Sequence, residues 1–283
     1  MISIDPKEIS VSKLHRYLLG SIGPRPIAFA STIDKKGSRN LAPFSFFNVF
    51  SANPPILIFS PARSGRTNTN KDTYLNVKEV PEVVINVVTY AMVKQMSLAS
   101  SPFDKDTDEF VKTGFTPIES ETISPYRVLE SPIQFECKVT DVKELGSNGG
   151  AGNLIFCEVN KIHISESVIN QDGLIDQQKI DLVSRMGGNW YCRSDKNSMF
   201  EVDKPIATIG IGVDALPDNI RLSNDLTGND LGKIGSMQRI PSSNEEIELL
   251  SSYSGDYTLE NAKNLLESNN VNLAYAILNQ LNQ

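Results

Sequence analysis

The chain is poor in the residues on which most metal and acid–base chemistry relies. It has two histidines, His15 and His163, and three cysteines, Cys137, Cys157 and Cys192, with no CxxC spacing. Two histidines are too few for a His-rich metal site. An odd set of isolated cysteines reads as buried or half-buried free thiols in a reducing compartment, with no disulfide framework and no metal. His163 falls in the alternating stretch Val159 to Ile164 and reads as a strand surface residue. No paired carboxylates and no His/Asp constellation stand out, so no catalytic acid or base is assigned. No apolar run approaches the ~18 residues of a membrane span. The start, Met1 to Glu8, lacks the basic-then-apolar order of a signal peptide. A cytoplasmic protein with no membrane partner is therefore expected. Positive charge is also scarce. The 27 Lys and Arg against 34 Asp and Glu leave a net charge of −7, which argues against a nucleic-acid partner.

Against that deficit, one short stretch reverses sign. Between Pro61 and Thr73 lie Arg63, Arg66 and Lys71 with a single Asp72. An apolar strand, Pro55 to Ser60, leads into this turn, and a helix is predicted from about Asn70 to Glu79, stopped by Pro81. Helix N-termini present unsatisfied N–H groups and the positive end of a dipole, so anions bind there readily. Arg63, Arg66 and Lys71 supply charge, and Ser60, Ser64, Thr67 and Thr73 supply hydroxyls. Arginine can grip a phosphate through two parallel bonds, lysine only as a point charge. Taken alone, the turn is equally a solvated cap for the helix.

The first two-thirds of the chain read as predominantly β. Strands are predicted over Pro26 to Ile33, Leu41 to Val49 with an interruption at Pro43 that points to a bulge or an edge, Glu82 to Thr89, Ile133 to Leu145 and Leu154 to Ser165. A second helix covers about Ala91 to Ser100. The cluster Gly146 to Gly152 joins the two long strands as a hairpin loop. A strand follows those glycines, where a dinucleotide-binding turn would open a helix, so that motif is rejected. Many short strands with few long helices point to a closed or partly closed barrel. From about Pro205 the character changes. Ile206 to Gly212 reads as one more strand, and the rest as helices: a capping box at Ser243 to Glu246, a Thr258-capped helix, and a helix over Val271 to Leu281. The last two form a helical hairpin around Ser268 to Asn270.

A second segment, Asn40-Leu-Ala-Pro-Phe-Ser-Phe-Phe-Asn48, combines aromatics with a proline that spoils sheet pairing. Backbone groups freed near Pro43 are suited to the edge of a planar ligand, while Phe44, Phe46 and Phe47 either line its face or fill the core. Gly23-Pro-Arg-Pro-Ile-Ala28, Ser31-Thr32, Asn40 to Phe47, Lys71-Asp-Thr73 and Asn76 together resemble the flavin reductase-like family. That family includes flavoredoxin and the reductase components of two-component monooxygenases. The resemblance covers about residues 1–200. It implies a mainly β fold, an FMN-binding split β-barrel with short helices over residues 1–204. Residues 205–283 then form a helical extension packed on the barrel or the dimer. It also implies a homodimer with FMN near the interface. By position, Ser31 and Thr32 lie near the ring or ribityl chain. Asn40, Ala42, Pro43, Ser45, Phe46 and Phe47 surround the ring, and Ser60, Arg66, Lys71, Asp72 and Thr73 face the phosphate. Arg185, Trp190 and Tyr191 resemble a family segment near the nicotinamide or acceptor pocket. Whether Arg63 or Arg66 shares the phosphate stays open.

The activity implied is hydride transfer from NADH or NADPH to flavin, in which the protein mainly orients the reactants. Reduced flavin or its electrons then pass to a partner oxygenase or another acceptor. Alternatives are an electron-transfer flavoprotein, a non-catalytic FMN-binding protein, and a barrel whose basic turn only caps a helix.

Overall fold

A computed structural model describes residues 1–105, 107–202 and 208–281. The chain divides into two compact units, Met1–Phe200 and Glu201–Gln283. The boundary expected at 204/205 falls on residues outside the described ones. No helix among the described residues is long and apolar enough to cross a membrane.

The first unit opens with α1 (Val11–Ser21), capped by the Ser10 side chain. Strands β1 (Ala28–Ile33), β2 (Arg39–Phe44), β3 (Phe47–Ala52), β4 (Pro55–Phe59) and β5 (Glu82–Val87) follow, with α2 (Asp72–Glu79) before β5. Next come α3 (Val93–Leu98), α4 (Glu109–Thr113), and the two-residue strands β6 (Pro117–Ile118) and β7 (Arg127–Val128). The long hairpin β8 (Ile133–Glu144) and β9 (Asn153–Ile164) and the short hairpin β10 (Val183–Arg185) and β11 (Tyr191–Arg193) complete it.

Seven strands form one sheet in the order β2-β1-β5-β8-β9-β4-β3. Strands β2 and β3 stand at opposite ends of that order, yet only Ser45 and Phe46 separate them in the chain. The three steps from Phe44 to Phe47 span at most about 11 Å, whereas seven strands laid flat extend roughly 28 Å at ~4.7 Å spacing. The sheet must therefore curl until its edges meet. No ladder joins β2 to β3, so the closure stays open along one seam, and the mainly β split-barrel class holds. The 12-residue strands β8 and β9 carry two register shifts, between Glu136 and Cys137 and between Val139 and Asp141. Such bulges bend a strand and let it serve both sides of a barrel.

Period-two alternation divides the core. On β1, Ala28 and Ala30 join one buried cluster with Leu57, Phe59, Ile85, Ile155 and the α2 residue Val77. Ile27 and Phe29 join the other with Leu41, Met92, Met96, Phe110 and Phe115. The interruption anticipated at Pro43 lies two residues later. Pro43 pairs with Phe29 within β2, and the strand breaks at Ser45 and Phe46. Leu41 N–H points off the sheet edge to Glu109, so Pro43, on the same side by alternation, forfeits no ladder bond. Cys137 and Cys157 are buried free thiols and Cys192 is half-buried.

The second unit is helical: α5 (Asp218–Arg221), α6 (Gly228–Ile234), α7 (Ser243–Ser252), α8 (Leu259–Glu267) and α9 (Val271–Leu281). Leu273 to Leu278 are all buried, because α9 is packed on every side by Ile220, Ile234, Ala262 and Leu266 among others. The capping box lies one residue earlier than anticipated. Ser242 N–H donates to Glu245 at 2.8 Å, making Ser242 the cap. The strand anticipated over Ile206 to Gly212 lies partly outside the described residues. Its described part is not a strand but a segment bonded to the 235–237 turn, Ile211 N to Met237 O at 2.8 Å.

Within the barrel, Glu136 on β8 is fully buried. It accepts bonds from the Thr122 hydroxyl (2.6 Å), Thr122 N–H (2.7 Å), Glu121 N–H (2.8 Å) and His163 Nε2 (2.8 Å). His163, expected as a surface residue, is instead the half-buried partner of this carboxylate. Burial alone pushes the Glu136 pKa up, but the donors outweigh it and hold the group at about 2, below the ordinary 4.5. A depressed folded-state value stabilises the fold above the unfolded pKa and is lost as pH falls through the folded one. Urea denaturation followed by Trp190 emission should show about 3 kcal/mol of this stability disappearing as pH falls from 7 to 2. In Glu136→Gln that part of the loss should be absent.

Candidate functional site

The basic turn is built by one of its own cations. Arg63 Nε donates to Asn68 Oδ1 (2.8 Å), Nη2 to Asn68 O (2.6 Å) and Nη1 to Asn70 Oδ1 (3.0 Å). Asn68 sits at φ 54°, a left-handed conformation that asparagine tolerates better than most residues. Ser64 Oγ accepts from the N–H groups of Arg66 (3.3 Å) and Thr67 (3.2 Å). Arg63 is thus consumed inside the turn. Arg66 and Lys71, by contrast, are exposed and have no side-chain partner among the described residues. Lys71 is also the N-cap of α2 and gives no side-chain cap bond. The first helical N–H to find a backbone carbonyl is that of Tyr74, to Lys71 O at 3.0 Å. The N–H groups of Asp72 and Thr73 meet no partner among the described residues, where α1, α4, α6 and α8 are capped by Ser10, Asp108, Thr227 and Thr258.

The glycine-rich loop between β8 and β9 braces this turn from behind. Arg63 N–H donates to Ala151 O (2.8 Å), Gly150 N–H to Arg63 O (3.0 Å), and Asn68 Nδ2 to Ser147 O (3.0 Å). The glycines are needed for close approach. A Cβ on Gly149 would stand 2.9 Å from Ser64 O and 3.2 Å from Gly65 Cα. Asn153, fully buried at the start of β9, donates to Pro61 O (3.0 Å) and Asn70 Oδ1 (3.2 Å). Its Oδ1 and the buried Ser60 Oγ have no partner among the described residues. Ser60 N–H reaches Phe46 O at 2.9 Å, tying the turn to the open seam of the barrel.

A second polar cluster joins β1, β2 and α2. Asn40 Oδ1 accepts from Thr73 Oγ1 (2.8 Å) and Thr32 Oγ1 (3.3 Å), and Asn76 Nδ2 donates to Thr32 Oγ1 (3.1 Å). Glu109 completes it, accepting from Leu41 N–H (3.0 Å) and Asn40 Nδ2 (3.3 Å). Burial pushes the Glu109 carboxyl above its ordinary pKa despite these donors. The fold therefore brings Thr32, Asn40 and Thr73 together, and Ala42 follows on the same face by its pairing with Ala30. Ser31 and Pro43 face the opposite side of the sheet, and the buried Ser31 Oγ is unpartnered. Asn40 and Asp72 both open onto a cavity of about 400 Å³. Phe47 packs into the core beside Phe44, Ser45 is half-buried, and Phe46 is exposed.

Arg185, Trp190 and Tyr191 lie on the β10–β11 hairpin, apart from the basic turn. That hairpin joins β1 through reciprocal bonds, Arg25 N to Arg185 O (2.9 Å) and Arg185 N to Arg25 O (2.8 Å). The two regions are spanned by α1. Its Val11 lies over Gly150, where an added Cβ would come within 3.3 Å of Val11 Cγ1. His15 makes an edge contact with Phe46, with ring centroids 6.4 Å apart, and Gly20 abuts Gly187. Sequence reasoning missed both α1 and Glu109. The Ser10 cap with Val11, Leu14 and Leu18 at helical spacing was the available signal for the helix. For Glu109 the signal was only Asp108-Glu109 before an apolar residue. A cavity of about 970 Å³ in the second unit offers no open cation at Arg239, which is paired with Glu245.

The bracing generates a direct expectation. Gly149→Ala should push the Ser64–Gly65 backbone, destabilising the turn by about 1–3 kcal/mol. Amide exchange at Ser64 and Asn68 should accelerate accordingly. Gly146→Ala, whose added Cβ meets only Ala151 Cβ at 3.4 Å, should leave those amides unchanged.

Comparison with known proteins is consistent across sequence and structure. The model of the flavin reductase like domain matches residues 20–180. A protein of Halalkalibacterium halodurans is 35% identical over 206 residues, covering 72% of this chain and 97% of its own. The crystal structure of nitrilotriacetate monooxygenase component B from Bacillus cereus is 32% identical. It covers 71% of this chain and 98% of its own with a TM-score of 0.67. A Shewanella frigidimarina structure with a split barrel domain, 24% identical, covers 72% of this chain and 100% of its own at a TM-score of 0.60, and shows the fold. Together with the curled, seamed sheet, these matches establish that the chain belongs to the flavin reductase-like family.

Proposed function

We propose that the chain binds FMN and works as an NAD(P)H-dependent flavin oxidoreductase. The observation that carries the reading is the uncapped N-terminus of α2, presented with two unpaired cations, Arg66 and Lys71. A terminal phosphate dianion suits open N–H groups, a helix dipole and cationic side chains. Arg63 then acts as the internal brace, and Arg66 with Lys71 as the grip. The partnerless Ser60 hydroxyl and Asn153 Oδ1 behind the turn leave hydrogen-bonding capacity that a ribityl phosphate, or water ordered by it, can take up. Asp72 and Thr73 contribute chiefly their backbone N–H groups. Thr32, Asn40 and Ala42 hold one face of the cleft, and Ser45, Phe46 and Phe47 its end at the seam.

A bound flavin supplies hydride acceptance from NADH or NADPH. The residues of the chain bind it, orient it and limit its contact with water. Strand β3, at the sheet edge, exposes Val49 (63%) and Phe50 (64%), which favours a homodimer covering that edge. The likeness to a monooxygenase component supports a partner oxygenase as the electron acceptor.

Purified protein should be yellow and release FMN on denaturation. Anaerobic addition of NADH or NADPH should bleach it, and absence of bleaching with both would remove the reductase reading. Arg66→Ala and Lys71→Ala should each weaken FMN about tenfold or more while barely changing riboflavin affinity. Equal losses for the two ligands in isothermal titration would place the phosphate elsewhere.

A further inference from the structure

Helix α1 buries none of its 11 residues. Isolated helices shorter than about 12–15 residues are marginal in water, so its two ends must be held. At the N-terminal end the Ser10 hydroxyl accepts from Lys13 N–H at 3.3 Å. The last turn carries no basic residue of its own, and Arg25 brings the cation that suits the negative end of the helix dipole. Its Nη1 donates to the carbonyls of Leu19 (2.7 Å) and of Ile22, the C-cap residue, and its Nη2 to Met186 O (2.9 Å) just after β10. Among the described residues, Arg25 makes the only hydrogen bonds between α1, with its caps, and the rest of the first unit.

Elsewhere α1 rests on van der Waals contact. Val11 lies against Gly150, whose N–H holds Arg63 O of the basic turn at 3.0 Å. His15 meets the ring of Phe46 at the open seam, and Gly20 abuts Gly187. The helix thus runs from the brace of the basic turn, past the seam, to the β10–β11 hairpin, along the mouth of the proposed flavin cleft. The hold at its end is incomplete. Arg25 is only 6% exposed, has no carboxylate partner among the described residues, and leaves its Nε unpartnered. Burial, and then the like charge of Arg185, push the Arg25 pKa down. Keeping a buried cation on carbonyls alone is costly, which offsets part of what its bonds contribute. The three core clusters of the barrel contain no α1 residue, so the helix can lift without opening them.

We propose that α1 is a displaceable strap across the flavin cleft, with Arg25 the positioning residue that latches it, so that FMN enters and leaves when the strap lifts. The inference rests on the FMN-binding reading and makes the flavin a slowly exchanging resident group. Its test is FMN exchange in the full-length protein, with association and release rates read from flavin fluorescence. A strap governs entry and exit alike. Arg25→Gln should therefore raise both rates about tenfold and leave Kd nearly unchanged, with partial recovery in Arg25→Lys. Amide exchange at Ile22 should accelerate in Arg25→Gln, while the β1 amides of Ala30 and Ser31 stay protected. His15→Ala, an exposed change that leaves the latch in place, should raise both rates about threefold and reports the same strap if Arg25→Gln does not fold. Faster release with slower association, so that Kd rises in step, would show Arg25 shaping the site itself and overturns the strap. Rates unchanged in both variants overturn it as well. In either case FMN still binds, and the FMN reading stands. Failure of the wild-type protein to bind FMN removes that reading and the strap with it.

Discussion

Two residues, Ser45 and Phe46, connect strands that stand at opposite ends of a seven-stranded order. No flat sheet can satisfy that connection, so the sheet curls, and because β2 and β3 share no ladder the closure is incomplete. The seam is where distant parts of the chain converge. β4 ends there and delivers the basic turn, with Ser60 N–H bonded to Phe46 O. The helix α1 runs past the same place, its His15 ring against Phe46. Every residue group argued to hold a ligand borders this seam or an element tied to it.

The basic turn illustrates how charge is used in a chain with a net charge of −7. Its shape comes from hydrogen bonds that the Arg63 guanidinium donates and from the backbone of the β8–β9 loop. That leaves Arg66, Lys71 and the α2 N-terminus without internal partners. A turn already held in shape loses little further entropy when an anion binds, which is the physical advantage of spending one cation on structure. The opposite treatment appears at Glu136, where a buried carboxylate is surrounded by donors and serves only the fold.

Much of this was legible in advance where local chemistry decides structure. The strands over Pro55 to Ser60, Glu82 to Thr89 and the long hairpin follow from alternation and turn residues, and α2 from Pro81 and the polar stretch before it. Less legible were features that depend on pairing at a distance. Pro43 pointed to a bulge or an edge because a proline cannot donate to a ladder; β2 is an edge strand, and the missing N–H falls on its outward side, so the strand continues through Pro43. His163 looked like a surface residue because nothing local reveals that Glu136 is opposite in a buried position. The glycines of the 146–152 loop were read correctly as a hairpin, while their second role, admitting the turn to within contact, depends on residues some eighty positions away.

The amino-acid sequence by itself determined the family, the alternation that builds the barrel walls, and the presence of a cationic turn before a helix. These are set by side-chain chemistry within a few residues, which no distant contact alters. Tertiary structure alone decided which arginine is free and which is consumed, and which face of β1 meets Asn40 and Asn76. It also left Arg25 and Arg185 side by side without a countercharge. Those outcomes turn on what each group meets across the sheet, and the meeting partners are selected by curling and register, not by neighbours in the chain.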